Sequence, residues 1–155
     1  MRNPRLLLLL LLLSGYLSAE TLAPFVSDGC SAFPNGIFKQ NKLWLSCCQQ
    51  HDYDYWKGGT YKERVESDRA LKACVSDVGE LEIALLMQAG VRVGGTPFLP
   101  TTFRWGYGWS YPRLYGALST SELKQVEVDA LEINGLDQWD QNALYTLNKR
   151  KEREQ

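Results

Sequence analysis

Histidine occurs once in the 155 residues, at position 51. Acid–base chemistry near neutral pH therefore has one unperturbed side chain suited to it. Cysteine is scarce as well, with four in all at Cys30, Cys47, Cys48 and Cys74. The longest unbroken apolar run, Leu6 to Leu13, falls well short of the about 20 residues of a membrane-spanning helix. Neither charge dominates: 17 basic residues face 18 acidic ones. Without a basic field the chain is not an ordinary nucleic-acid binder. The one basic cluster, Lys149 to Arg153, reads as a solvated tail. No serine or cysteine stands in a recognisable nucleophile elbow, and no internal repeat is visible. The length suits one ordinary domain.

A basic start at Arg2 and Arg5, the short leucine run and a small residue at Ala19 describe a secretory signal peptide over residues 1–19. The alternative is a retained N-terminal anchor. No cysteine follows the leucine run closely enough for a lipid anchor. Loss of Arg2 and Arg5 on cleavage leaves 15 basic against 18 acidic residues, a net charge of −3. All four cysteines survive cleavage. An even count in an exported chain favours two disulfides and a secreted or periplasmic location. Adjacent Cys47 and Cys48 are poorly placed to bond each other, so both bridges run outward from one helix.

Residues 27–36 are rich in Ser, Asp, Gly, Pro and Asn and read as a loop. From about Lys42 to Trp56, steps of three and four place Trp44, Cys47, Cys48, His51 and Tyr55 on one helical face. Gly58-Gly59 breaks that helix. A second fits from about Tyr61 to Asp77, with Val65, Leu71, Cys74, Val75 and Val78 in its stripe. Asp68 falls inside this stripe, where an unpaired carboxylate would be costly. Reflection of the chain about Gly58-Gly59 puts Asp68 within a turn of His51 and Cys74 about a turn from Cys47. An antiparallel helical pair follows, with a disulfide and a His–Asp contact. A third amphipathic stretch runs from Leu81 to Val93, its charges Glu82 and Arg92 excluding a membrane span. Between Phe98 and Tyr115, seven aromatics sit among glycines and prolines, four of them (Trp105, Tyr107, Trp109, Tyr111) on alternate positions. Ser119 and Glu122 offer a helix cap. The tail past Asn134-Gly135 is polar.

Cys48-x-x-His51-Asp52, preceded directly by Cys47 and by Asp-Gly-Cys at 28–30, resembles the secreted phospholipase A2 family, most closely its compact prokaryotic-type branch. The resemblance covers roughly residues 26–75. It implies a mainly α fold: a disulfide-linked antiparallel helical pair with a loop-rich aromatic C-terminal extension. On this reading residues 20–118 form the phospholipase A2-like domain and 119–155 a polar C-terminal helix and tail. The resemblance assigns His51 as the catalytic histidine, Asp68 as its buried aspartate and Tyr55 as the tyrosine supporting that aspartate. It implies the disulfides Cys30–Cys48 and Cys47–Cys74, and a calcium site at Asp28, the Gly29 carbonyl and Asp52. Asp54 and Ser67 stand where the animal enzymes carry a further pair of cysteines. Ser31 to Gly36 replaces their glycine-rich calcium loop, so ligation rests on Asp28, Gly29, Asp52 and water.

The residue chemistry agrees. Ester hydrolysis by water needs a base and a charge that holds the oxyanion. His51 can take the water's proton while Asp68 fixes its tautomer. Calcium takes carboxylate and carbonyl oxygens and can polarise an ester carbonyl. The expected activity is calcium-dependent hydrolysis of the sn-2 ester of glycerophospholipids, on a phospholipid aggregate or membrane surface. The alternatives are a non-catalytic lipid- or protein-binding module on the same scaffold, and an envelope protein that binds a partner through its aromatic segment. Any protein partner is left open. Within the aromatic segment, Trp105 and Trp109 could serve as a lipid-docking surface or pack against the helices. Packing is the expectation.

Overall fold

A computed structural model describes residues 20–132, so the leader over 1–19 and the tail beyond 132 lie outside the described residues. Four helices, α1 (Leu45–Lys57), α2 (Tyr61–Asp77), α3 (Leu81–Gly94) and α4 (Thr120–Glu132), make the protein mainly helical. The described residues include no named strand, only an Ile37–Gln40 bridge in the turn before α1. None of their helices is long and apolar enough to cross a membrane.

Helix α1 starts three residues later than the periodicity predicts, because that turn carries the chain as far as Trp44, which sits at the helix N-cap. Trp44 is still buried at the head of the expected face, with Cys47, Cys48, His51 and Tyr55 behind it. Helix α2 occupies the predicted span. Its start is a reciprocal capping box: the Glu63 amide donates to Thr60 Oγ1, and the Thr60 amide to Glu63 Oε2 at 2.7 Å. Such a cap contributes about 1 kcal/mol. The helix ends at Asp77, so Val78 lies past the periodic stripe and is 40% exposed.

Three contacts fix how α1 and α2 lie together. Tyr55 meets Arg64, His51 meets Asp68, and Cys47 bonds to Cys74. Two steps of four back along α1 are matched by steps of four and six forward along α2, so the pair is antiparallel. The second disulfide, Cys30–Cys48, ties the preceding loop to α1. The bridges close 18- and 27-residue separations, each worth about 3 kcal/mol by loop-closure entropy. Disulfides of this kind persist in an oxidising compartment. Around them lies one core of Trp44, Leu71, Val75, Ala84 and Met87, which brings α3 onto α2.

The two tryptophans of the aromatic segment pack rather than face solvent, Trp105 at 1% and Trp109 at 2% exposed, while Phe98, Phe103 and Tyr111 stay exposed. A helix end leaves its last carbonyls without intrahelical partners, and this segment supplies them for α1. The Gly106 and Gly108 amides donate to the carbonyls of Tyr55 (2.6 Å) and Trp56 (3.1 Å). The indole of Trp109 donates to the Lys57 carbonyl, and that of Trp105 to Gly59, both at 2.8 Å. The backbones cross so closely that a Cβ on Gly58 would lie 2.9 Å from the Gly106 Cα, and both glycines have positive φ. Only glycine suits those two positions.

Helix α4 joins a second core, where Val126 packs with Leu22, Tyr53, Trp56 and Trp109. Ser119 and Glu122 form the expected cap, the Ser119 amide donating to Glu122 Oε2 at 2.7 Å. Arg113 holds Glu20 and Glu122 together, at 3.1 and 2.7 Å. The first described residues are thereby tied to α4.

Candidate active site

His51 and Asp68 face each other because their helices pack antiparallel about Gly58-Gly59. His51 Nε2 lies 3.0 Å from Asp68 Oδ1. Asp68 is fully buried and His51 nearly so. An ionised carboxylate only accepts, and facing one, His51 would carry its hydrogen on Nε2 and keep the lone pair on Nδ1. The Tyr55 hydroxyl donates to the same Asp68 oxygen at 2.7 Å, and its ring lies against the imidazole with centroids 4.1 Å apart. Burial, reinforced by the Asp68 charge, pushes the Tyr55 hydroxyl far above its ordinary range, so it is a neutral donor.

Two arginines complete the cluster. Arg64 Nε donates to the Tyr55 hydroxyl at 3.1 Å. Arg92 Nε lies 2.8 Å from Asp68 Oδ2. The sequence reading assigned neither to the site; Arg92 featured only as a charge interrupting an apolar stretch. A signal existed for Arg64, four residues before Asp68 and so on the same helical face. For Arg92 there was none, since its partner is a helix away.

His51 and Tyr55 border a cavity of about 330 Å³. Helix α3 lines one side with Leu86, Met87, Gly90 and Val91, and the loop before α1 lines another with Gly29 to Phe33. Phe103 and Tyr107, from the aromatic segment, line it too. The lining is mostly apolar, with polar groups concentrated at His51 and Asp52.

Asp52 is half-buried at the same cavity. Its Oδ2 accepts from Ser27 Oγ at 2.6 Å, and Ser27 Oγ in turn accepts the Gly29 amide at 3.1 Å. Ser27, also unassigned by the sequence reading, thus locks the loop to α1. Burial raises the Asp52 carboxyl from an ordinary 3.8 to about 7; the Ser27 bond opposes this and the nearby Asp28 charge adds to it. Asp28 itself is exposed, accepts from Ser31 Oγ at 2.9 Å, and does not line the cavity. Gly29 does line it, buried and at φ 81°. Tyr107 donates to the Val26 carbonyl at 2.7 Å, one residue before Ser27, and holds the loop from the other side.

Asp28, on the loop, is near enough to Asp52 for its charge to act on it. Among the described residues no lysine or arginine pairs with either carboxylate. Oxygen-only donors and an uncompensated, partly buried negative charge suit a hard cation. Three or more His, Cys, Asp or Glu side chains do not cluster as a metal group among the described residues; the expected ligands Asp28, Gly29 and Asp52 offer two carboxylates and a peptide oxygen. The disulfides pair Cys30 with Cys48 and Cys47 with Cys74. No protein-family model, curated protein or solved structure matches this chain.

Proposed function

We propose that this protein is a phospholipase A2-type esterase, exported to an oxidising compartment, which hydrolyses the sn-2 ester of glycerophospholipids with calcium. The observation that carries the reading is the His51–Asp68 pair at 3.0 Å, on an apolar cavity shared with Asp52. The disulfide-linked antiparallel pair α1–α2 is the scaffold such an enzyme needs, because it presents base, orienter and acidic ligand from two short helices.

The geometry supports a role for each residue. His51 Nδ1 accepts a proton from water as the water oxygen attacks the ester carbonyl, and the imidazolium returns it to the departing alkoxide oxygen. Asp68 holds Nε2–H, which fixes the tautomer and stabilises the imidazolium. Tyr55 fixes the carboxylate. Asp28, the Gly29 carbonyl and Asp52 would hold calcium, whose positive charge would polarise an ester carbonyl. An acyl chain fits the apolar side of the cavity along Leu86, Met87 and Phe103, which leaves the ester at the polar end. Desolvation by the acyl chain would strengthen the electrostatics there.

The test is turnover of phospholipid–detergent mixed micelles by the mature, oxidised protein, titrated with calcium against a chelator. The proposal expects fatty acid release that rises with calcium and vanishes in chelator. No release at millimolar calcium from anionic or zwitterionic phospholipid would refute it and favour a non-catalytic binding module.

A further inference from the structure

Asp68 is a buried carboxylate with two oxygens, and only one faces the imidazole. A carboxylate can turn about its own axis, so something must decide which oxygen His51 meets. Oδ1 takes the Tyr55 hydroxyl at 2.7 Å as well as His51. Oδ2 has no directed hydrogen bond, and Arg92 Nε stands 2.8 Å from it. That contact works by charge and proximity, because the N–H is not aimed at the oxygen. Arg92 also donates from Nη2 to the Val65 carbonyl at 3.2 Å, so its guanidinium is anchored on α2 beside the carboxylate it faces.

Arg64 links the two sides of Asp68. Its Nε donates to the Tyr55 hydroxyl, which serves Oδ1. Its Nη2 donates to the Val91 and Arg92 carbonyls at 2.8 and 2.9 Å, which fixes the backbone that carries the partner of Oδ2. Its Nη1 reaches the Tyr115 hydroxyl at 2.5 Å. One buried guanidinium thus locks α1, α3 and the aromatic segment around a single carboxylate.

We infer that Arg92 is a positioning residue of the His51–Asp68 pair: its contact with Oδ2 keeps Oδ1 of the fully buried Asp68 turned to His51, with Arg64 holding Arg92 in place. This rests on the reading of His51 as the base. The chemistry is a matter of where one proton sits. An ionised carboxylate accepts only, so it requires the hydrogen on Nε2. Without the guanidinium nothing holds Oδ2, the carboxylate can turn about its axis, and Nε2 loses its fixed acceptor. The imidazole hydrogen is then free to sit on Nδ1, where it occupies the lone pair that water needs.

The single histidine makes this measurable without any substrate. In an untagged, nitrogen-labelled protein at about pH 8, the long-range proton–nitrogen spectrum of the ring contains His51 alone. The wild type should show one tautomer, hydrogen on Nε2. Arg92→Met should show both tautomers, and kcat should fall about ten- to a hundredfold with KM within about twofold, the range typical when an outer partner is lost. Arg92→Lys should restore the single tautomer and most of kcat, because the contact is one of charge. A folded Arg92→Met protein with one tautomer and unchanged kcat would overturn the inference. If Arg92→Met does not fold, Arg92→Lys decides: one tautomer supports the inference and a mixture overturns it. A wild type that hydrolyses nothing would end the esterase reading, and the tautomer measurement would still judge Arg92.

Discussion

Asp52→Asn should stabilise the chelated protein above neutral pH. The side chain keeps its shape, and its amide oxygen can still accept from Ser27 Oγ, which now bonds Oδ2 at 2.6 Å. What the substitution removes is a half-buried negative charge, raised to about 7 chiefly by desolvation and further by Asp28. A carboxyl group whose folded value exceeds its unfolded one binds more protons folded than unfolded. Its stabilising effect is complete below an ordinary 3.8 and is lost as pH rises through about 7. At about 1.36 kcal/mol per pKa unit the loss has an upper bound of about 4 kcal/mol. Solvent screening at the cavity mouth brings a realistic value to ~2 kcal/mol, which is roughly 6 °C for a domain of this size. Thermal unfolding in excess chelator should therefore place Asp52→Asn above the wild type at pH 8, with the gap closing near pH 4. Added calcium should reverse the order, raising the wild type by mass action and leaving the variant unmoved. A variant that is less stable than the wild type in chelator at pH 8 would refute the argument that Asp52 is an uncompensated charge.

Three further outcomes follow. His51→Asn should lower ester hydrolysis by at least about 10³-fold while near-ultraviolet circular dichroism stays native; retained turnover would remove His51 as base. Trp109→Phe should cost ~2 kcal/mol in urea unfolding, because it leaves the part-buried Lys57 carbonyl short of its indole donor and opens a gap in a packed core. A cost near zero would mean that the segment does not cap α1. Arg113 holds the Glu122 carboxyl below its ordinary value, so this pair's contribution is present above about 4.5 and lost as pH falls through the depressed value. Amide hydrogen exchange around Val126 should accelerate over that acidic window in the wild type, and Glu122→Gln should flatten the dependence; identical profiles would contradict it.

The helical pair was legible because spacing and the glycine break carry it. Cys47, Cys48, His51 and Tyr55 share a face by arithmetic, and reflection about Gly58-Gly59 placed Asp68 near His51 before any coordinates. The pairing of the cysteines needed a resemblance, since counting alone left more than one connectivity open. What the sequence did not disclose were the contacts that carry no local period. Arg92 reaches Asp68 from another helix, 24 residues on. The glycines of the aromatic segment act through backbone amides at the end of α1, and any residue type has an amide. Alternation of Trp105, Tyr107, Trp109 and Tyr111 among glycines left packing as the expectation, and both tryptophans are buried, but the turns through Gly106 and Gly108 that bury them and leave Tyr111 half exposed carry no local period. Ser27 looked like part of a plain turn, because a hydroxyl's choice of partner depends on which helix the loop crosses.

The central claim is a position-specific, calcium-dependent hydrolysis that turns on His51. It is tested most directly with a phospholipid carrying different acyl chains at sn-1 and sn-2, incubated with the mature protein in calcium or chelator and resolved by mass spectrometry. The account predicts free sn-2 fatty acid and the matching 1-acyl lysophospholipid in calcium, and neither in chelator. Release from sn-1, release unaffected by chelator, or no release in calcium would contradict it.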